Sequence, residues 1–414
     1  MTSGIRIRVA ICGAGIGGLT TAGPWEIIRD LGLEEDLLRT TEIKRVEGPV
    51  KSIRYRKSDR AEGLDFYALE SQGNLMTFHR ADFQKVLLRR LPASYRVHCS
   101  KRLRSYSQPL QGPITLLFED GEKHTCDVLV GADGLKSAVR QGLLGEKAKW
   151  ALSQNNATEA ADITALIEPV WSGECAYRAL IPAERLKQRA PNHRAFSYPM
   201  QYLGKNGYIM AYPIMKGKFI NLAAFKCQPE LSGSKFNGAW VCPTDKSEFQ
   251  GIFRNWEPDV QALLDCVEKP LRWAIHIIKP LPSWVSGRAV ILGDAAHAMT
   301  PHQGSGAGQA IEDAYILSTI LGHPNTNLSN IGSALKIYDR LRRPVAQKVH
   351  ERSRLNGRYF TFNCEEINFA NVPESDLLPK LKLMGQIFTK NWEWVWTTSA
   401  KALVDEAKRQ LKEL

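Results

Sequence analysis

The sequence predicts an α/β protein: a parallel-sheet, Rossmann-like body that carries an inserted mixed-sheet module and ends in helices. Three observations predict it. Near the N-terminal end "IRIRVAIC" alternates and is β-branched, as a strand requires, and it runs directly into the glycine loop "GAGIGG" over 13–18. A second strand–glycine–helix block, "RAVILGDAAHAMTPHQGSGAGQAIEDAYIL", fills 288–317. Between them, from about 165 to 275, Tyr, Trp and Pro become frequent, and isolated strand patterns such as "GYIMAYPI" and "KFINLAAF" appear.

Composition bounds the function. With 414 residues, 43% hydrophobic and 24% charged, the chain suits two domains or one large α/β body, and disordered or collagenous classes are excluded. No apolar run approaches the roughly 18 residues of a spanning helix, so no transmembrane segment is expected. The 55 Lys and Arg exceed the 43 Asp and Glu by 12, and the excess is spread along the chain. Its densest stretches, 80–104 and 336–358, keep helical apolar spacing and read as solvated helix faces, so no nucleic-acid partner is expected. Eight cysteines without a CxxC pair point to reduced thiols, an intracellular, cytoplasmic chain and no metal centre. The N-terminal stretch imitates a secretion signal, but glycines break its apolar part at a spacing that a nucleotide loop explains better.

In chain order, residues 24–39, "PWEIIRDLGLEEDLLR", have helical spacing. "SIRYRK" and "LDFYALESQGNLMTFH" are strand-rich, with Gly73–Asn74 as a turn. A helix is expected over 81–91 and strands over 96–118. "TCDVLVGADG" reads as a buried strand ending in a tight turn, and "LKSAVRQGLL" as the helix after it. "RAVILGDAAH" is a strand entering a loop, "SGAGQAIEDAYILSTIL" starts a long helix, and everything beyond 330 is helical. The domain division expected is 1–164 and 276–350 for the nucleotide body, 165–275 for the sheet module, and 351–414 for the C-terminal helices.

Two turns carry the chemistry. Gly13, Gly15 and Gly18, with Ala14 between the first two, form GxGxxG between a strand and a helix. The first glycine permits the turn, the second admits a pyrophosphate to the backbone, and the third packs helix on strand. In the second block a hydrophobic strand delivers Gly293–Asp294 to its carboxyl end, where ligands of α/β sheets bind. Asp294 can accept hydrogen bonds from a polyol, and Gly304, Gly306 and Gly308 open a helix whose amides can hold negative charge. A glycine-rich turn with a capping Asp would explain these residues singly, but not their order.

With those motifs in order, the chain resembles the flavin-dependent aromatic monooxygenases of the salicylate hydroxylase and para-hydroxybenzoate hydroxylase type, in their fungal secondary-metabolism branch, over about residues 5–350. The resemblance implies FAD as cofactor, NAD(P)H as co-substrate and a small phenolic or polyketide-type aromatic substrate. It places Asp294 on the ribityl chain, Ala307 near the isoalloxazine, Asp133 with Gly134 near the pyrophosphate and the nicotinamide route, and Arg80 on the FAD. "GECAYRALIP" and "GYIMAYPIMKG" resemble the family's substrate-facing strands, which implies that Arg178 and Tyr212 hold a phenolate or carboxylate. An oxygen adduct at flavin C4a is electrophilic, so an arginine favouring the phenolate and a tyrosine positioning it make chemical sense. Tyr177, His276 and His302 are further wall candidates, and Trp392, Trp394 and Trp396 are expected to pack a C-terminal helix onto the body. The Tyr/Trp-rich middle and Arg178 favour a small aromatic substrate over the lipid of a geranylgeranyl-reductase-type flavoprotein.

One departure stands out. A Rossmann unit needs a second strand ending in an acid about 20 residues after the glycines, to bind the adenosine ribose. Here Pro24 is expected to stop the first helix, and Glu34, Glu35 and Asp36 lie on a helical pattern, so none is the ribose ligand. Roughly thirty residues are missing between Ala22 and Pro24, about half of a βαβ unit. The expected fold is therefore a Rossmann-like FAD-binding domain lacking its second strand, with an inserted mixed-sheet substrate domain and C-terminal helices. Its alternative reading is an FAD-binding-impaired or mis-spliced form.

Overall fold

The computed structural model describes residues 7–13, 22–41, 44–73, 76, 78 and 80–414. Its elements run β1 (Val9–Cys12), α1 (Ala22–Asp30), α2 (Glu34–Leu38), β2 (Pro49–Lys57), β3 (Leu64–Gln72) and α3 (Arg80–Arg89). Then come β4 (Leu103–Ser107), β5 (Ile114–Phe118), β6 (Lys123–Cys126), β7 (Val128–Gly131), α4 (Ala138–Ser153) and α5 (Ala157–Thr164). The middle holds β8 (Val170–Pro182), α6 (Ala183–Arg189), β9 (Met200–Gly204), β10 (Gly207–Ile214), β11 (Phe219–Cys227), β12 (Val241–Pro243), α7 (Ser247–Gln250), α8 (Pro258–Asp265) and β13 (Leu271–Ile277). The last elements are β14 (Val285–Ser286), β15 (Ala289–Ile291), α9 (Asp294–His297), α10 (Gly306–Leu321), α11 (Ile331–Phe360), α12 (Glu374–Thr397) and α13 (Ala400–Leu411).

The nucleotide body is built on a sheet of order β1-β7-β15-β14, in which β1 and β15 both run parallel to β7. "VLVG" of β7 and "AVI" of β15 are buried throughout, as short apolar runs must be when helices cover both faces. They share a core with Val139 and Leu143 of α4, Ile316 of α10, Tyr338 of α11 and Ala407 of α13. β1 differs: Val9 and Ile11 stay 40% and 59% exposed, and among the described residues no strand pairs with its outer edge.

The chain after the glycine loop is helical in the structure, as α1 and α2, broken at Gly32. Pro24 does not stop α1, contrary to expectation. It sits in the first turn, where its missing amide has no intrahelical acceptor to lose, and α1 continues to Asp30. The strand expected from residue 96 begins only at Leu103. Tyr95 and Val97 remain 57% and 59% exposed, because an extended segment becomes a strand only where another strand offers its edge.

The second sheet has eight strands in the order β12-β13-β8-β11-β10-β9-β2-β3. It reaches outside 165–275, since β2 and β3 join it from residues 49–72, with β2 parallel to β9. Alternation along each strand gives it two faces. One carries Tyr177, Ile181, Ile209, Ala211 and Leu222 and is covered by α6, α7 and α8. The other carries Tyr55, Phe66, Tyr208 and Phe225 and is roofed over part of its area by α12 through Leu381, Phe388 and Trp392. Trp394 and Trp396 pack at the edge of that cluster. A small antiparallel sheet, β4-β5-β6, completes the body. Among the described residues no helix is long and apolar enough to cross a membrane.

Candidate functional site

The carboxyl ends of β1, β7 and β15 lie side by side, because Cys12 and Ile291 both lie in register with Gly131. Backbone bonds stitch them together: Ala132 N–H donates to Cys12 O at 2.7 Å and Leu292 N–H to Gly131 O at 3.0 Å. Gly13 turns at φ +101°, and a Cβ there would come within 2.0 Å of Ala132 O, so no other residue fits. Ala14, Gly15 and Gly18 lie outside the described residues.

Asp133 stands beside Gly13, but its carboxylate has another duty. It accepts from Ser137 Oγ at 2.5 Å and from the amides of Ala138 and Val139 at 2.8 and 3.2 Å, capping α4. What the carboxylate does here is fix the turn. Arg140, which the sequence reading overlooked although it closes "GADGLKSAVR", does similar work. Its buried guanidinium donates to Leu135 O at 2.6 Å, Ala295 O at 3.0 Å and Ile167 O at 3.1 Å, tying the β7 loop to α9, and burial lowers its pKa to about 10.

At the Gly293–Asp294 turn, Asp294 is exposed at the start of α9, with no partner among the described residues. Behind it lies a buried network. Asp313 accepts from Gly293 N–H at 3.0 Å, meets His297 Nε2 at 2.6 Å and pairs with Arg342 Nε at 2.9 Å. Arg342 also pairs with Glu312 and donates to Gln309 Oε1. Burial alone would raise Asp313, yet His297 and Arg342 outweigh it and hold the carboxyl below its ordinary range. The network locks the turn onto α10 and α11. Ala307 is half-buried in the first turn of α10, whose leading amides, Gly306 to Gly308, have no intrahelical acceptor and suit an anion.

Arg80 is exposed at the first position of α3, which packs with α1 and with Ile311 of α10 through Phe83 and Val86. A cation there opposes the helix dipole, so local helix stability does not explain it. Glu34 is engaged by Trp25 Nε1 at 2.7 Å and Arg45 at 2.9 Å, Glu35 by Arg39, and Asp36 by Arg39 and Arg90.

On the second sheet, Arg178 of β8 is opposite Ala223 of β11, which is opposite Met210 of β10; Leu180, Asn221 and Tyr212 form the next row. Arg178 and Tyr212 thus share one face, where α12 leaves the sheet open. Burial raises the Tyr212 pKa, and the charge of Arg178 opposes that rise. Leu271 and Trp273 of β13 flank Arg178, whose guanidinium lies 6.0 Å from the Trp273 ring. Tyr177 is no pocket wall: being one residue from Arg178, it points to the opposite face, stacks on Phe249 at 4.4 Å and reaches Glu248 at 3.1 Å. His276 stacks on Trp240 at 3.7 Å, and His302 is buried against Tyr208 and Glu174.

Glycine turns on adjacent parallel strands, a free acid after the second turn and an open helix N-terminus define a dinucleotide-binding flavoprotein with an appended substrate sheet. Comparison with known proteins makes this specific. A family described as FAD binding domain matches residues 17–179 and 279–353, leaving most of the eight-stranded sheet outside. The chain is 34% identical over 423 residues to FAD-dependent monooxygenase str9 of Strobilurus tenacellus, covering 95% of this chain and 90% of the relative. It is 35% identical over 341 residues to a salicylate hydroxylase of Pseudomonas putida, covering 80% and 72%. It is 34% identical over 298 residues to 6-methylsalicylate 1-monooxygenase atA of Aspergillus terreus, covering 71% and 62%. A solved salicylate hydroxylase substrate complex superposes with a TM-score of 0.80 at 29% identity, covering 97% of this chain and 98% of that one. The chain belongs to the FAD-dependent aromatic monooxygenases, and its cofactor is FAD.

The residues present fit that cofactor at the second turn. Asp294, exposed and without a partner among the described residues, would be the acceptor for ribityl hydroxyls, and the leading α10 amides would stabilise an anionic ring. FAD supplies the two-electron and oxygen chemistry that no protein side chain has.

Proposed function

We propose that this chain hydroxylates, or oxidatively dearomatises, a phenolic aromatic compound carrying an anionic group, using NAD(P)H and O2, in secondary metabolism. One oxygen atom enters the ring, the other leaves as water, and NAD(P)H provides the two electrons. The observation that carries this reading is the placement of Arg178 and Tyr212 on one open sheet face, in neighbouring rows with β11 between them. That face looks toward the flavin-facing loop, because Tyr208, four residues before Tyr212 on β10, touches His302 in it. Arg178 holds the substrate's anion and favours the ionised phenol. Tyr212, kept neutral by burial, donates a hydrogen bond to the phenolate oxygen and so positions the ring. Leu180, Leu271 and Trp273 line the face as exposed apolar groups that an aromatic ring would cover on binding.

On this reading residues 1–164 and 276–350 bind FAD through Gly13, Ala14, Gly15, Gly18, Arg80, Asp294 and Ala307, with Asp133 as the turn's support. Residues 165–275 hold the substrate, with β2 and β3 lending strands, and 351–414 form the roof. Eight free cysteines suit a reducing compartment inside the cell. The test is the visible flavin spectrum of the purified protein, followed by NAD(P)H oxidation with and without salicylate or 6-methylsalicylate. Yellow protein whose oxidation rate rises with one of these phenols is expected; flavin-bound protein indifferent to every hydroxybenzoate counts against the substrate class.

A second reading, a chain impaired in FAD binding, has its own observation. The outer edge of β1 is unpaired among the described residues, and the three acids of α2 are engaged by arginines.

A further inference from the structure

Between the substrate sheet and the loop joining α9 to α10 lies a buried polar cluster that the proposed chemistry does not use. His302 follows Pro301 in that loop, four residues before α10 begins. Its Nδ1 lies 2.8 Å from Tyr208 Oη on β10, and its Nε2 lies 2.9 Å from Oε2 of Glu174 on β8. The other Glu174 oxygen accepts from Cys227 Sγ at 3.8 Å, across the β8–β11 pair. Phe225 stacks on Tyr208 at 4.4 Å, and Phe360 of α11 meets the His302 ring edge-on at 6.2 Å. Helix α11 passes so close that a Cβ on Gly357 would come within 2.4 Å of His302 Cδ2 and Nε2. Among the described residues no group of acids, histidines and cysteines is arranged to hold a metal ion.

Two features give this cluster a purpose beyond packing. Among the described residues neither His302 Nε2 nor Glu174 Oε2 has a hydrogen-bond partner, and their 2.9 Å approach to each other is the one polar contact of either atom, so each depends on the other. A buried carboxylate deprived of its partner is strongly destabilising, which means Glu174 holds its place only while His302 is seated. The cluster is also aligned with the substrate site. Glu174 and Arg178 lie four residues apart on β8, and Tyr208 and Tyr212 four apart on β10, all on one face and roughly 13 Å along the strands.

We infer that Glu174, His302 and Tyr208 form a latch through which the substrate sheet positions the 300–305 loop, and with it the N-terminus of α10, against the flavin. On this inference His302 and Glu174 act as positioning residues, through the loop that they hold. The inference rests on FAD occupying the α10 N-terminus, as in the reading above.

The test compares wild type with Glu174→Gln, His302→Phe, His302→Gln and Tyr208→Phe by hydrogen exchange of the 300–306 amides and by FAD affinity from flavin fluorescence. Glu174→Gln and His302→Phe are expected to speed exchange in that loop about tenfold and to weaken FAD about tenfold, the loss of one charged contact. Exchange in β8 and β10 stays slow. His302→Gln, which can still bridge both partners, recovers most of the affinity. Tyr208→Phe keeps the stack on Phe225 and deletes one bond, so it folds even where His302→Phe does not, and shows the same loop signature more weakly. Unchanged loop exchange in Glu174→Gln and Tyr208→Phe overturns the latch, as does loosening spread evenly over the sheet. Wild-type protein that takes up no FAD refutes the flavin reading, while the loop exchange of the flavin-free variants still decides whether the latch exists.

Discussion

At Gly293 the chain turns with φ +59°, and two carboxylates share that turn from opposite sides. Asp294 faces outward, so Asp294→Ala should leave folding intact and yield colourless protein. Asp313 faces inward, where its charge answers His297 and Arg342. Asp313→Asn should cost about 3–5 kcal/mol, read from the urea midpoint, because it leaves Arg342 underpaired in the core. The folded carboxyl lies below its unfolded value, so its stabilisation is present above the ordinary carboxylate pKa and fades as pH falls through the depressed one. Acid unfolding of Asp313→Asn should therefore be flatter than that of wild type. Glu312, pushed up by burial, contributes with the opposite sign. Arg178→Ala and Tyr212→Phe should keep the flavin and lower turnover on the order of a hundredfold; loss of colour in either would contradict its place at the substrate. Asp294 could be read from the sequence because the strand, the turn and the helix that frame it are contiguous. Asp313 could not, since its partner Arg342 is 29 residues away and only the packing of α10 on α11 brings them together.

At the scale of elements, alternation along a strand told inside from outside but not which sheet a strand would join. "SIRYRK" and "LDFYALE" were legible as strands, yet their entry into the substrate sheet depends on β2 pairing with β9 across some 140 residues. The same limit misplaced Tyr177, whose face is settled only once Arg178 is known to look outward. The C-terminal tryptophans signalled a packed helix, and α12 supplies it, with Phe388 fully buried 4.7 Å from Tyr55 and 5.1 Å from Phe360. Phe388→Ala should cost about 3–5 kcal/mol in chemical denaturation while FAD affinity holds, because the roof stabilises the sheet at a distance from the Gly293 turn. A parallel loss of flavin would mean that α12 shapes the cofactor site as well.

For the whole molecule, the decisive feature is the outer edge of β1. Val9 and Ile11 lie exposed beside it, and the extended segment holding Tyr95 and Val97 finds no sheet to enter. A second strand on the β1 edge would cover Val9 and Ile11, and apolar groups left in water forgo about 25 cal/mol per Å² of burial. The alignment with FAD-dependent monooxygenase str9 runs over 423 positions, more than the 414 residues present, so that relative carries residues with no counterpart here. Inserting a βα segment of roughly thirty residues between Ala22 and Pro24 should pair the β1 edge and return an acid to the adenosine side. Thermal stability and FAD retention through gel filtration should then both rise. The half of the site around Asp294 and α10 is unaltered by the insertion, so any gain belongs to the adenosine half. Equal retention with and without the segment would mean that the chain grips FAD through the Gly293 turn and α10 alone, and that the open edge of β1 costs stability but not cofactor.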